Sequence, residues 1–284
     1  MHDALYGADG FYSTGRGQPG RRGDFITSPE VGPLFGMVIG RALDEWWRDM
    51  GEPDPFTVYE VGAGTGALGR SVARANLACA GALHYAMVEI GPYAPPEAVT
   101  ALPDGVLTGV ILCNELLDNL PIDLAFDGRL LAAHEPWPLV GLYPVQSAAT
   151  AFVSAAVANL ARGRVVAIDY CGTAFAQRPW EQWLRTYRAH APGGHPTADP
   201  GRQDITCEVD ISQLPIPSVN RSQGEFLDAY GINELVAEGR AIWHERAHLG
   251  DLAAMKARSR ITEAEALCDP AGLGAFRVLE WVVD

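Results

Sequence analysis

Four short apolar runs constrain the fold of this 284-residue chain more than any other feature: FTVYEV (56 to 61), HYAMVEI (84 to 90), GVILCNE (109 to 115) and RVVAIDY (164 to 170). They are rich in β-branched and aromatic residues, and none is long enough for an ordinary helix. Stretches of helical character lie between them, at about 67 to 80 and 147 to 161. Such alternation predicts an α/β fold with a mostly parallel sheet and helices on both faces. Two later runs, DITCEVDI (204 to 211) and FRVLEWVVD (276 to 284), flank a helical region from about Ser222 to Ala266 and are expected to end the sheet in an antiparallel pair. Upstream, Ser28, Pro29 and Glu30 read as the N-cap and first turn of a helix running to about Met50. Residues 1 to 50 are therefore taken as an N-terminal loop and helix, and 51 to 284 as the core, with a proline-rich insertion at about 172 to 203.

Charge and composition narrow the function classes. Thirty-five acidic against 21 basic residues give a net charge of −14, which argues against nucleic-acid binding driven by phosphate neutralisation. No apolar run approaches the ~18 residues of a membrane span, and the start, MHDALYGADG, has neither the basic nor the apolar region of a secretory leader. Cys79, Cys113, Cys171, Cys207 and Cys268 are scattered without a CxxC pair. They read as reduced thiols of a cytoplasmic protein.

The chemistry concentrates after the first strand, in Glu60-Val61-Gly62-Ala63-Gly64-Thr65-Gly66-Ala67. Glycines there allow a tight turn and close approach of backbone N–H groups to a ligand. The string also fits the dinucleotide pattern GxGxxA, with an acid, Glu89, further on, so a nicotinamide enzyme is one reading. Glu60 argues for another. A carboxylate repels a pyrophosphate, whereas S-adenosylmethionine presents an ammonium and a sulfonium. Glu60, Gly62, Ala63, Gly64 and Gly66 are thus the candidate cofactor loop, and Glu89 suits ribose hydroxyls. The block Asn114-Glu115-Leu116-Leu117-Asp118-Asn119-Leu120-Pro121 follows the third strand, where ligands of open parallel sheets sit. Asn114 falls near the reactive end of the cofactor. Glu115 and Asp118 are the candidate catalytic acids, since two carboxylates can bind a cationic nitrogen or take its proton.

Two further patterns have competing readings. His244-Glu245-Arg246-Ala247-His248 fits the helical zinc motif HExxH, but no third ligand has a distinctive spacing, so it is read as a charged helix face and no metal is expected. In the insertion, Trp180, Trp183, Tyr187, Arg188 and His190 either line a pocket for a planar cation or cap the core. His190 is the candidate base should the acceptor be a hydroxyl.

Over most of its length the chain resembles the MidA-like family of bacterial and mitochondrial S-adenosylmethionine-dependent methyltransferases, which includes a mitochondrial complex I assembly factor that methylates a protein arginine. The blocks that carry the resemblance are ALYGADGFY (4 to 12), GDFITSPE (23 to 30), VYEVGAGTGAL (58 to 68), YAMVEI (85 to 90), NELLDNLP (114 to 121), RGRVVAIDYCG (162 to 172), LRTYRAH (184 to 190), PGRQDITCEVD (200 to 210), SQGEFL (222 to 227) and DPAGLGAFRVLEW (269 to 281). The glycine loop is common to many methyltransferases; GDFITSPE, NELLDNLP and the PGRQDIT block are far more specific. The resemblance implies a class I methyltransferase core, S-adenosyl-L-methionine as cofactor, and N-methylation of an arginine or other guanidine, in a protein or a small molecule. Glu115 and Asp118 would then bind the guanidinium, with residues 1 to 30 and the insertion covering it.

One departure from the family pattern is local. Only 18 residues, Gly91 to Thr108, with four prolines, separate the second and third strands. A helix, an edge strand and a turn do not fit in that length. A missing edge strand, an open adenine pocket and an unpaired edge are therefore expected, and a homodimer or other partner would cover that edge. The remaining alternatives are a non-catalytic assembly or binding protein with a degenerate methyltransferase fold, and the nicotinamide-dependent oxidoreductase.

Overall fold

A computed structural model describes residues 1–15, 27–103, 105–132, 134–188 and 191–284. Its six-stranded sheet is built from β1 (Phe56–Val61), β2 (Leu83–Val88), β3 (Leu107–Asn114), β4 (Leu160–Asp169), β5 (Val219–Ser222) and β6 (Arg277–Val283), in the order β5-β6-β4-β3-β1-β2. The pairs β2–β1, β1–β3 and β3–β4 are parallel, while β4–β6 and β6–β5 are antiparallel. Side chains alternate between the two faces as the period of a strand requires. Val110 and Leu112 of β3 point to one side, Ile111 and Cys113 to the other.

Six helices cover the sheet: α1 (Pro33–Asp49), α2 (Ala67–Val72), α3 (Ser147–Ala158), α4 (Gln223–Ala229), α5 (Ile232–Arg246) and α6 (Leu252–Leu267). On one face, Leu34, Phe35, Val38, Ile39, Leu43 and Trp46 of α1, at helical spacing, pack with α2, α4, α5 and α6 against Val58, Leu112, Val166 and Val278. Burying a side chain of this size contributes roughly 1.5–3 kcal/mol. On the other face α3 places Ala149, Val153 and Ala156 against Ile111, Val165 and Leu279. Two acids anchor α1: Glu263 of α6 accepts the Leu34 N–H at 2.9 Å, and Asp44 accepts the N–H groups of Ala78 and Cys79, each at 2.9 Å.

Several expected boundaries move. The antiparallel pair exists, but the outer partner of β6 is β5, not 204 to 211. Asp204–Cys207 instead joins Leu184–Arg188 and Ala191–Pro192 in a small separate sheet, and Val209–Asp210 pairs with Cys171–Gly172. The helix expected from Ser28 divides at Gly32 into a turn, Ser28–Val31, and α1. Ser28 follows Thr27 as the first residue of that turn, with its buried hydroxyl donating to Gln223 at 3.0 Å. Helix α2 ends at Val72 rather than near Ala80, and Asp44 captures the separate turn Ala78–Gly81.

Among the described residues no separate edge strand forms outside β2. The short segment after it does supply one rung: Val88 bridges Val99, the Glu89 N–H donating to Val99 O and the Val99 N–H to Met87 O, both at 2.9 Å. A third apolar cluster lies apart from the sheet and joins Leu5 and Phe11 to Phe175, Trp180, Trp183 and Ile205. It holds the N-terminal segment onto the insertion, beside the carboxyl ends of the parallel strands.

Candidate active site

A cavity of about 590 Å³ opens beyond the carboxyl ends of β1, β2 and β3. The turn after β1 forms its floor. Gly62 has φ +74°, and a Cβ there would stand 2.9 Å from Leu116 Cδ1, so any larger residue is both strained and obstructed. Ala63 and Gly64 also line the cavity. Glu89, just past β2, ties this turn to its own loop. Its carboxylate accepts from Gly64 N–H at 2.8 Å, Ile90 N–H at 2.8 Å and Gly91 N–H at 2.6 Å.

Glu60 lines the same floor at 4 % exposure. Its Oε2 accepts the Tyr85 hydroxyl at 2.9 Å. Burial pushes its pKa up to about 7, against the opposing pull of Tyr85, the Gly69 N–H and Arg70. From the end of β3, Asn114 donates through Nδ2 to Glu115 Oε1 at 3.0 Å, which also accepts the Ser28 N–H at 3.2 Å. Glu115 has φ +52°, a conformation that a residue with a side chain adopts at a cost of about 1–2 kcal/mol. That geometry turns its carboxyl into the cavity, where burial, with Glu30 nearby, raises its pKa to about 7. Asn114 Oδ1 is buried and has no hydrogen-bond partner among the described residues.

Seven of the expected residues are therefore brought together: Glu60, Gly62, Ala63, Gly64, Glu89, Asn114 and Glu115. Gly66 is not a lining residue. It starts α2 at φ +75°, and a Cβ there would stand 2.8 Å from both Met87 Sδ and Pro95 Cγ, so its role is in packing. Asp118, expected to face the substrate, is turned away at 3 % exposure. The reason is the 3-10 turn Leu117–Asn119, whose leading N–H groups are taken by Asp169 Oδ2 at 2.9 and 3.3 Å, rolling Asp118 inward toward Asp169 and Asp204. Burial and these like charges hold its pKa well above the carboxylate range.

His190 lies outside the described residues. Of the insertion aromatics, Trp180 and Trp183 are buried in the third cluster, the core-capping reading. The HExxH pattern straddles the end of α5, which stops at Arg246, so His248 falls on a following 3-10 turn and the two histidines do not share a continuous helix. Among the described residues no group of three or more His, Cys, Asp or Glu is arranged for a metal.

Two details went unread in the sequence: what the segment after β2 contributes to the cavity, and which side chains of the expected N-terminal cover face it. On the β2 side Ile90, Pro92, Tyr93 and Leu102 line the cavity, as does Phe152 of α3, so the short segment after β2 supplies part of its wall. The roof comes from the other end of the chain: His2, Tyr6 and Tyr12 line the cavity beside Thr27 and Glu30. Tyr6 and Tyr12 stack with ring centroids 5.7 Å apart at 21°. The closely spaced aromatics of ALYGADGFY were the available signal.

Residues 38–129 and 144–232 match a protein family described as "putative S-adenosyl-L-methionine-dependent methyltransferase". The chain is similar to the mitochondrial protein arginine methyltransferase NDUFAF7 homolog of Drosophila melanogaster, 38% identical over 95 residues, which are 33% of this chain and 22% of the fly protein. The match thus spans about a fifth of that relative's length. Two crystal structures of Burkholderia thailandensis proteins cover 100% of this chain. One, with bound S-adenosyl-homocysteine, has a TM-score of 0.76 at 24% identity over 87% of its own length. The other, an uncharacterized protein, has a TM-score of 0.74 at 26% identity over 86%.

Proposed function

Since the chain belongs to the S-adenosyl-L-methionine-dependent methyltransferase family, we propose that it methylates a guanidine nitrogen, on a protein arginine or on a small molecule. The observation that carries the cofactor half is the donor set of the cavity. Asn114 Oδ1 is a buried acceptor without a donor, Glu60 and Glu115 are desolvated carboxyls, and no Lys or Arg lines the cavity among the described residues. A pyrophosphate would meet these carboxyls with no Lys or Arg beside it among the described residues, which disfavours the nicotinamide reading. An ammonium and a sulfonium suit it.

S-adenosylmethionine, when bound, supplies an electrophilic methyl group on sulfur. Glu60 would hold its ammonium, Glu89 with the Gly64 loop its ribose, and Asn114 Oδ1 a donor near the reactive end. Glu115 would accept from the acceptor guanidinium and draw positive charge away from the attacking nitrogen. Tyr6 and Tyr12 would exclude water and restrict the approach of that nitrogen, which is where positioning contributes most to rate. The arginine assignment is supported by the fly relative's name and by the acids at Glu115 and Glu30. Calorimetry with S-adenosylhomocysteine and with NAD is the test: binding of the first and not the second is expected, and no binding of the first refutes the proposal.

Two subsidiary readings belong with it. Five cysteines, none in a disulfide, support a reducing compartment such as the cytoplasm. A homodimer across the outer edge of β2 is supported by exposed Ile90 and Val99 beside the single rung there; sedimentation as a monomer would remove it.

A further inference from the structure

The methylated guanidinium keeps one positive charge, so methyl transfer to an already charged guanidinium must release a proton, and Glu115 is not the only group that can receive it. Tyr12 lines the cavity and donates its hydroxyl hydrogen to Asp204 Oδ1 at 2.9 Å. With that hydrogen engaged, the hydroxyl oxygen still has lone pairs to accept an N–H from a ligand in the cavity. Asp204 is fully buried, and its Oδ1 also accepts the Ile205 N–H at 2.9 Å. Tyr6 fixes the Tyr12 ring by stacking on it, and its own hydroxyl donates to the Asn119 carbonyl at 3.2 Å.

Behind this pair the structure gathers buried carboxyl groups. Asp118 is buried close to both Asp169 and Asp204. Nothing in the cofactor half requires this arrangement. It lies under the roof, on the side of the cavity where the N-terminal segment meets the Asp204–Cys207 strand.

We propose that Tyr12 and Asp204 form the proton-accepting dyad of the acceptor subsite, Tyr12 touching the acceptor nitrogen and Asp204 acting through it. The inference rests on the methyltransferase reading above. As the new N–C bond forms, one guanidinium N–H bond breaks and its electron pair stays on nitrogen. That proton moves to the Tyr12 oxygen while the proton of Tyr12 moves to Asp204 Oδ1. The electron pair of the broken C–S bond leaves on sulfur as a neutral thioether. The charges balance, with one cation and one neutralised carboxylate remaining.

The experiment uses the full chain, tritiated S-adenosylmethionine and the tripeptide acetyl-Gly-Arg-Gly-amide, with S-adenosylhomocysteine calorimetry on each variant. Tyr12→Phe keeps the ring and its packing. It is expected to lower kcat about 10²-fold, the ordinary scale of a lost proton acceptor, with KM for the peptide and S-adenosylhomocysteine affinity within twofold. Asp204→Asn should do the same, and the double variant should be no slower than either single one, because two members of one relay are not additive. A Tyr12→Phe rate within threefold of the unaltered protein, or losses that multiply in the double variant, overturns the dyad alone. If Asp204→Asn fails to bind S-adenosylhomocysteine, Tyr12→Phe decides by itself. An unaltered protein that binds no S-adenosylhomocysteine refutes the methyltransferase reading instead. One that binds it but leaves the arginine probe unmethylated overturns the guanidine acceptor and the dyad together.

Discussion

Glu60 should make cofactor binding depend on pH in the neutral range. Burial raises its pKa from an ordinary 4.5 to about 7, so keeping it ionised above neutrality costs about 3 kcal/mol in the empty cavity. The groups facing it are the Tyr85 hydroxyl from β2, the Gly69 N–H and Arg70 from α2, which favour the anion, and Glu89, which opposes it. An ammonium prefers the ionised form, so affinity rises with pH. With apparent affinity proportional to the ionised fraction, S-adenosylhomocysteine should bind roughly eightfold more tightly at pH 7.5 than at pH 6. Methylthioadenosine, which lacks the ammonium, should show no such trend. Glu60→Gln removes the charge-assisted bond, worth about 1.5–3 kcal/mol; its affinity should fall at least tenfold at pH 7.5 and lose its pH dependence. Tyr85→Phe removes a donor to the carboxylate and should move the midpoint upward. Isothermal titration calorimetry from pH 5.5 to 7.5 reads all of this. A flat profile for the unaltered protein, or Glu60→Gln at full affinity, would refute the assignment of Glu60 to the ammonium.

Other outcomes follow from the same geometry. Glu115→Gln should leave S-adenosylhomocysteine affinity and its pH profile unchanged while lowering methyl transfer to an arginine peptide by an order of magnitude or more, measured with labelled cofactor. Gly62→Ala, which meets both φ +74° and Leu116, should cost about 1–2 kcal/mol of backbone strain and weaken S-adenosylhomocysteine binding. Asp169 has its pKa raised to about 8 by burial and by Glu115. The folded state therefore holds a proton that the unfolded chain loses near pH 4, and its contribution to stability declines as pH rises from there through about 8. Thermal melts should show this decline, and Glu115→Gln, which removes the charge that raises this pKa, should reduce the decline at the alkaline end. Trp183→Ala should lower stability by about 3–5 kcal/mol in denaturant titration yet leave S-adenosylhomocysteine affinity unchanged, because Trp183 is core rather than pocket.

The parallel half of the fold was legible because each strand carries its own signal: a β-branched run, then glycine or an acid where the chain turns over the sheet. That is why Glu60, the Gly62–Gly64 turn, Glu89, Asn114 and Glu115 were found where they are. What sequence could not show was rotation within short elements. Asp118 lies only three residues beyond Glu115, but the intervening 3-10 turn is set by Asp169, which is distant in sequence, and no local pattern encodes that capture. Nor does periodicity reach the roof. Tyr6 and Tyr12 sit in a glycine-rich segment whose position depends on contacts with Leu184 and Ile205. The strand at 204 to 207 was recognised as a strand but assigned to the wrong sheet, since its four residues are all buried and carry no alternation to orient them.

The bonds that close the roof also set an order of assembly. Tyr12 meets Asp204 across 192 positions of sequence, Ser28 meets Gln223 across 195 and the Leu34 N–H meets Glu263 across 229. A ribosome that has delivered β1 to β4 has made the whole floor of the cavity, while the N-terminal segment, synthesised first, still waits for its anchors. Pairings this remote in sequence form slowly. During synthesis Tyr12, Ser28 and Leu34 therefore gain these partners only once Asp204, Gln223 and Glu263 have been made.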